Sequence, residues 1–193
     1  MRRARTLLFL TALVWGLATL PAPRPALAQA SGEETAAETW PEADPEDVAS
    51  MDAIVAALYD VISGPAGEPR DWERFKSLHI PEARLIPSGR GPSGIGFVVL
   101  SPEEYSLRAS SAFEQSGFYE VEIARTTERF GHIAHLFSTY ESRRSPDDAE
   151  PFQRGINSIQ LLHDGDRWWI LNIFWTAERP DLPIPDRYLD GRP

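Results

Sequence analysis

The 193-residue sequence contains no cysteine and a single lysine, Lys76. The lack of cysteine excludes disulfides, thiol catalysis and cysteine-ligated metals, so the fold must rely on its hydrophobic core. With one lysine, Schiff-base chemistry has a single candidate. Basic residues are also outnumbered, and the formal net charge is −10. Such an acidic chain is a poor partner for nucleic acid or anionic membranes, because both attract lysine and arginine.

No segment is apolar enough over a sufficient length to span a membrane. The most apolar run, Leu7 to Leu20, has about 14 residues, and a spanning helix needs about 20. A basic start precedes this run, and Ala26-Leu27-Ala28 follows it as a small-x-small cleavage site. Residues 1–28 are therefore predicted to be a signal peptide, cleaved after Ala28 or Ala30. The mature protein is expected to be periplasmic or secreted, with no membrane anchor after cleavage.

Two further segments flank the predicted domain. Residues 29–47 hold seven acidic residues and no basic ones. They predict a disordered linker, because such a stretch buries too little apolar surface to offset its ordering entropy. Trp40 is the exception within it, and it either docks on the domain or is exposed. After a domain over residues 48–181, a proline-rich tail over residues 182–193 is predicted to lie over the surface or to fray.

The stretch from Arg154 to Pro180 carries the clearest structural signal. Two strand-length runs of β-branched, aromatic and aliphatic residues, Ile156 to Leu162 and Trp168 to Trp175, flank a spacer that contains Asp164-Gly165. Asp-Gly between such runs is a strong signal for a β-hairpin. The second run is apolar on both faces. We therefore expect helices to cover one face, and a partner subunit or the chain's own tail to cover the other.

Helical patterns precede this hairpin. Apolar residues recur at helical spacing from Met51 to Ile62 and predict an amphipathic helix. Asp71 is predicted to cap a short second helix, and Ser101 to Glu104 has the capping-box pattern of a third. A short strand, a mobile glycine-rich loop and two long strands are predicted for residues 83–86, 88–96 and 118–143. The order predicts an α+β fold, with about three N-terminal helices packed against a curved antiparallel sheet.

These segments together resemble a known superfamily. The motifs Asp71-Trp72, Pro81 to Ile86 and Gly165 to Ile170 are similar to those of NTF2-like proteins. That superfamily shares a cone-shaped fold and includes nuclear transport factor 2, ketosteroid isomerase and the SnoaL-type polyketide cyclases. The resemblance covers residues 48–181, and it implies a cone cavity and a homodimer formed through the sheet. It assigns no activity, because the superfamily holds isomerases, dehydratases, hydrolases and binding proteins.

The isomerase chemistry of this superfamily can be compared residue by residue. Ketosteroid isomerase-like enzymes place a tyrosine late in the first helix, where this chain has Tyr59. Their general base is an aspartate after the first strand, where this chain has Ile86-Pro87-Ser88 and no carboxylate. Proton abstraction beside a carbonyl lacks its base at that position. Tyr59 and His135 are the candidates for acid/base catalysis, with a carboxylate at the rim of the cone as a third source.

A metal site is not predicted. His132 and His135 are three residues apart in an extended segment and should point to opposite faces, whereas a metal needs converging ligands. Neither a metal nor another cofactor is expected. A structural role for His135 is the alternative to catalysis.

Polar residues inside the predicted strands indicate a small-molecule pocket. The candidate ligand-binding residues come from the first helix and the last three strands: Tyr59, Tyr140, Ser158, Gln160, Trp168 and Asn172. The strand residues among them line either the cavity or the opposite, open face of the sheet, because one sequence does not determine strand register.

Three functions follow as hypotheses. The first is an exported domain that binds a small apolar molecule in the cone cavity without chemistry of its own. The second is a SnoaL- or isomerase-type enzyme that uses general acid/base chemistry, and a cavity-facing group with a shifted pKa would distinguish it from the first. The third is a protein-interaction module that binds a partner through the open sheet face, for which an exposed aromatic patch is the discriminating feature.

Overall fold

The computed structural model describes residues 39–190. The elements in this range are α1 (Pro45–Val48), α2 (Met51–Ile62), α3 (Trp72–Ser77), β1 (His79–Gly91), β2 (Gly94–Phe97), α4 (Pro102–Ser116), β3 (Tyr119–Phe130), β4 (Ile133–Arg143), β5 (Gln153–His163), β6 (Trp168–Ala177) and a 3-10 helix (Asp186–Tyr188). The predicted signal peptide, residues 29–38 of the predicted linker and the last three residues of the tail lie outside the described residues. None of the helices between residues 39 and 190 has the length and apolar character needed to cross a membrane.

The six strands form one curved sheet in the order β2-β1-β6-β5-β4-β3. Strands β3 to β6 are antiparallel neighbours, as predicted. Strand β1 instead runs parallel to β6. Parallel neighbours need a long crossover connection, and here α4 and four strands lie between the two in sequence. The predicted antiparallel sheet is therefore corrected to a mixed sheet at this one pair.

Capping residues determine where the helices begin. The Ser50 side chain accepts a hydrogen bond from the Ala53 N–H at 3.0 Å, so α2 starts at Met51 and α1 is a separate short helix. Asp71 caps α3, and Ser101 and Glu104 form the predicted capping box of α4. These side chains satisfy N–H groups that have no partner within a helix. The apolar face predicted for α2 is buried and includes Ile54, Val55, Leu58, Val61 and Ile62.

The glycine-rich segment is a β-hairpin, not the mobile loop predicted for residues 88–96. Strand β1 continues to Gly91, and β2 pairs back along it from Gly94 to Phe97. Gly94 has a φ of 112°, which glycine adopts without the strain that a Cβ would bring. The prediction was wrong because glycine is depleted in strands, while pairing with β6 extends β1 to Ser88 and pairing with β2 extends it to Gly91.

A β-bulge changes which side chains of β6 share a face. The pairing of β5 with β6 shifts at Leu171, and this extra residue exchanges the two faces beyond it. The β6 side chains on the helix side are Trp168, Ile170, Ile173 and Trp175. Phe174 lies on the other side and is 46% exposed. Simple alternation along β6 would place Trp168 and Phe174 on one face, and the bulge at Leu171 separates them.

The residues just before α1 pack on the domain. Trp40 Nε1 donates a hydrogen bond to the His79 carbonyl at 2.8 Å, and Asp44 caps α1. The predicted disordered linker therefore does not extend over residues 39–47 in the structure. Trp40 docks on the domain, which is one of its two predicted placements.

The tail crosses the open face, which we define as the sheet face opposite the helices. Thr139 Oγ1 donates to the Tyr188 carbonyl at 2.6 Å, and the Tyr188 ring contacts Phe137 edge-on at 4.9 Å between ring centroids. Ile184 is only 8% exposed. The chain's own tail thus covers part of the face that the apolar pattern of β6 predicts to be covered.

Candidate functional site

A cavity of about 360 Å³ lies between the sheet and helices α2, α3 and α4. Its wall is mainly apolar, with contributions that include Leu58, Ile62, Phe75, Leu85, Ala109 and Trp175. Both the size and the apolar character of this wall fall within the range of small-molecule sites. The polar groups in the wall determine what the cavity can bind or transform.

Tyr59 belongs to a hydrogen-bond network in this wall. Asn157 Nδ2 donates to Tyr59 Oη at 3.0 Å, and Tyr59 Oη lies 2.7 Å from Ser138 Oγ. Ser138 donates its own hydrogen to Glu122, so the Tyr59 hydroxyl must be the donor to Ser138. Burial raises the pKa of Tyr59 well above its usual value. A ligand can therefore receive a hydrogen bond from Tyr59 only if the bond to Ser138 breaks.

An ion pair anchors the outer end of this network. Arg125 donates to Glu122 through Nε at 2.9 Å and through Nη2 at 2.5 Å. Both side chains are less than a tenth exposed, and Arg125 also contacts Asp52 at the surface at 2.5 Å. Bidentate charge-assisted pairs of this kind hold both partners in one geometry. The position of Tyr59 is thus supported from the cavity to the surface.

Glu120 on β3 is a cavity carboxylate that sequence reasoning missed. It lines the cavity and accepts a hydrogen bond from Ser142 Oγ at 2.7 Å. Burial raises the pKa of Glu120 to about 7, although hydrogen bonds from Ser142 and Asn157 oppose the shift. Such a carboxyl group can take up or release a proton near neutral pH. Glu120 and Glu122 are two residues apart and share one strand face, which is the signal that could have identified them.

Three hydrogen-bond donors at the cavity remain available to a ligand. Gln153 Nε2 donates to Tyr140 Oη at 3.0 Å, which leaves the hydrogen of Tyr140 without an acceptor. Tyr105 Oη and the Arg108 guanidinium also line the cavity and form no hydrogen bond with any other residue of the described range. Burial raises the pKa of both tyrosines, so both hydroxyls keep their hydrogen near neutral pH.

Among the predicted ligand-binding residues, Tyr59 and Tyr140 line the cavity. Trp168 also faces the helices and is 4% exposed, but it packs near the hairpin turn against His163 and does not line the cavity. The cavity therefore brings together two of the six predicted residues. It adds Tyr105, Arg108 and Glu120, which sequence reasoning did not single out.

The other predicted residues lie on the open face, which is the alternative placement for them. Gln160 pairs with Asn172 across β5 and β6, and Ser158 Oγ lies 2.8 Å from His135 Nε2. His135 consequently does not reach the cavity, and its bond to Ser158 fits the structural alternative. Over residues 39–190, no three side chains of the metal-binding types converge on one point.

The likeness of the chain to known proteins is confined to solved structures. No family profile matches the chain, and no curated protein matches it. Among solved structures, a candidate calcium/calmodulin-dependent protein kinase type II association domain from Thiobacillus denitrificans is 12% identical, over 67% of this chain and 96% of that one, with a TM-score of 0.52. An uncharacterised protein with a cystatin-like fold from Caulobacter vibrioides is 12% identical, over 69% and 90% of the two chains, with a TM-score of 0.51.

An NTF2-like protein of unknown function from Silicibacter pomeroyi also matches, at 15% identity over 67% of this chain and 94% of that one, with a TM-score of 0.48. The curved sheet packed against helices, together with the two likenesses whose TM-scores exceed 0.5, shows that the chain has the NTF2-like cone fold. The predicted α+β cone fold is thereby confirmed, with a mixed sheet in place of the antiparallel one. At this level of identity the likeness concerns the fold alone, so the activity of an NTF2-like domain must be inferred from its site.

Proposed function

We propose that this exported NTF2-like domain binds a small apolar molecule in the cone cavity. The observation that carries the proposal is the mainly apolar wall around about 360 Å³, interrupted by only a few polar groups. The bonded network from Asn157 through Tyr59 to Arg125 holds one side of this wall in place before a ligand arrives. A preorganised wall lowers the ordering cost of binding.

A cavity-filling variant tests this proposal. Ala109 lies in the cavity wall, whereas Ala112 lies on the exposed side of the same helix. We expect wild type to bind 1-octanol in isothermal titration calorimetry, Ala109→Phe to lose this binding, and Ala112→Phe to keep it. Binding by Ala109→Phe at wild-type affinity would contradict the proposal. So would a folded wild-type protein that binds neither a neutral alcohol from hexanol to decanol nor octanoate or octanamide.

Glu120 supports acid/base catalysis on the bound molecule as a second candidate function. Its carboxyl group faces the same cavity as the hydroxyls of Tyr105 and Tyr140, so one proton acceptor and two donors surround a single ligand. Pro87 lines the wall at the place where ketosteroid isomerase-like enzymes carry their base, and it supplies no carboxylate. A carboxylate from β3 would take that role here.

Proton exchange at carbon tests the catalytic function. We expect wild type to accelerate deuterium exchange of the α-protons of 2-tetralone, followed by NMR in D₂O, and Glu120→Gln to lose at least about 100-fold of that acceleration. Glu128→Gln, on the exposed end of the same strand, is the matched control and should behave like wild type. Exchange at the uncatalysed rate in the presence of wild-type protein would contradict this second function but not the binding proposal.

We also propose that the protein forms a homodimer through the uncovered part of the open face. Strand pairing places Ile95, Phe97 and Phe174 on this face, where they are 67%, 70% and 46% exposed. Large apolar side chains exposed on one sheet face support an interaction site. The same patch would serve a different protein partner if the chain does not self-associate. The two outcomes differ in the oligomeric state of the isolated protein.

Analytical ultracentrifugation separates these outcomes. We expect a dimer for wild type at micromolar concentration, a monomer for Phe174→Arg, and a dimer for Leu107→Arg, since Leu107 is 72% exposed on helix α4. A wild-type monomer up to millimolar concentration would contradict the dimer.

A further inference from the structure

We infer that the cavity ligand is an apolar carboxylic acid, whose carboxylate binds Tyr105 and Arg108 while its apolar body fills the cavity. The inference rests on the proposed binding function and specifies the chemical class of the ligand. It is carried by two donors that have no acceptor within residues 39–190 and that line one wall of the cavity.

Tyr105 and Arg108 occupy neighbouring positions on one face of α4. They are three residues apart in this helix, so their side chains project from the same side. The Tyr105 ring packs on Phe75 at 5.3 Å and edge-on against Trp175 at 6.0 Å between ring centroids. These contacts hold the ring, and no hydrogen bond to another described residue holds its hydroxyl. The hydroxyl is therefore positioned but unused.

Arg108 is exposed at the edge of the cavity, and unlike the other arginines of residues 39–190 it has neither a hydrogen-bond nor an ion-pair partner within that range. The formal net charge is −10, and Arg74, Arg125 and Arg154 each bind a carboxylate. Arg108 has no carboxylate of residues 39–190 within ion-pair distance, although Glu120 lines the same cavity. Arginine binds a carboxylate through two parallel hydrogen bonds, and a neighbouring hydroxyl adds a third. The site offers these donors to a group supplied by a ligand.

The cavity volume and Glu120 further restrict the ligand. At roughly 30 Å³ per small group, 360 Å³ holds about a dozen non-hydrogen atoms, which suits an acid of about eight to ten carbons. A ligand carboxylate beside Glu120 would repel the ionised form of this side chain. The carboxylate should therefore lie at Arg108, and binding should be tighter when Glu120 is protonated.

Calorimetric titration of the mature protein with octanoate and with octanamide tests the inference, because the two probes differ in charge and hardly in shape. We expect octanoate to bind about tenfold more tightly than octanamide at about pH 7, and this preference to grow as the pH falls toward 6. Arg108→Gln should abolish the preference while octanamide affinity stays within about twofold. Tyr105→Phe should weaken octanoate binding by a few fold. Arg84 is exposed and lies outside the cavity, so Arg84→Gln should bind both probes like wild type.

Equal affinity of wild type for the two probes, or an undiminished preference in Arg108→Gln, would overturn the carboxylate inference. If octanol binds and octanoate does not, the inference also fails while the proposed binding function stands. If octanoate, octanamide and octanol all fail to bind, the proposed function fails together with the inference.

Discussion

At the scale of single residues, Gly155 determines where the Tyr140 hydroxyl lies. A Cβ at position 155 would collide with Tyr140 Oη and would lie 2.5 Å from the Thr176 carbonyl oxygen. Tyr140 is almost fully buried, so it has little room to move away. The missing side chain at this position therefore makes room for one of the cavity donors.

We expect Gly155→Ala to lower the free energy of unfolding by about 1 to 3 kcal/mol, because overpacking forces Tyr140 or β6 to shift. Urea unfolding measures the change. Gly89→Ala is the matched control, since a Cβ there meets nothing within 4 Å in another strand of the same sheet. Equal effects of the two substitutions would show that close packing at Tyr140 is not the cause.

Two buried titratable residues make the free energy of unfolding change with pH in opposite directions. His79 is fully buried, and burial lowers its pKa from 6.5 to about 4. In the folded protein His79 resists protonation, so its contribution to stability is lost as pH falls from 6.5 toward 4. Burial raises the pKa of Glu120 from 4.5 to about 7. In the folded protein Glu120 resists ionisation, so its contribution to stability is lost as pH rises from 4.5 toward 7.

We therefore expect the wild-type free energy of unfolding to change little between about pH 4.5 and 6.5, where the two effects cancel. When the pH falls from about 6.5 to 4.5, the free energy of unfolding of Glu120→Gln should decrease by about 2 kcal/mol. That of His79→Gln should increase by a similar amount. Urea unfolding at a series of pH values measures both slopes. Profiles of the same slope for the two variants would contradict this assignment.

At the scale of elements, the C-terminal tail is part of the folded domain. It places Ile184 and Tyr188 on the open face, and the Ile184 N–H donates to Glu178 Oε1 at 3.0 Å. Glu178 in turn accepts from Arg154 Nε at 2.8 Å. The tail is thus tied to β5 and β6 by polar contacts as well as by apolar burial.

We expect Ile184→Ala to cost about 2 kcal/mol of unfolding free energy, because the isoleucine is nearly buried. Leu182→Ala should cost less than about 0.5 kcal/mol, since Leu182 is 44% exposed. Chemical denaturation measures both changes. A tail that does not pack in solution would make the two substitutions equally neutral.

At the scale of the whole molecule, we expect the precursor to be exported and cleaved. Expression of the full chain in a Gram-negative host should yield a periplasmic protein whose mass corresponds to an N-terminus at Gln29 or Ser31. Replacing Leu10 and Leu13 by arginine should retain the uncleaved chain in the cytoplasm, because an export signal needs the uncharged apolar run from Leu7 to Leu20. Cytoplasmic recovery of the intact wild-type precursor would contradict export.

Local signals in the sequence determined most of the elements and the fold. Asp164-Gly165 predicted the β5–β6 hairpin, and the structure shows why: Asp164 Oδ1 accepts from the N–H groups of Asp166 and Arg167, both at 2.9 Å. Caps at Asp71 and Ser101 are likewise short-range features. Such contacts lie within a few residues of one another, so the sequence alone contains them.

Only the tertiary structure decided which residues form the site. The bulge at Leu171 exchanged the faces of β6, and strand pairing put Ser158, Gln160 and Asn172 on the open face. Glu120 acquires its shifted pKa from burial and from Ser142, which the sheet brings beside it. Strand register and burial depend on partners far away in the sequence, and a local pattern carries no information about them.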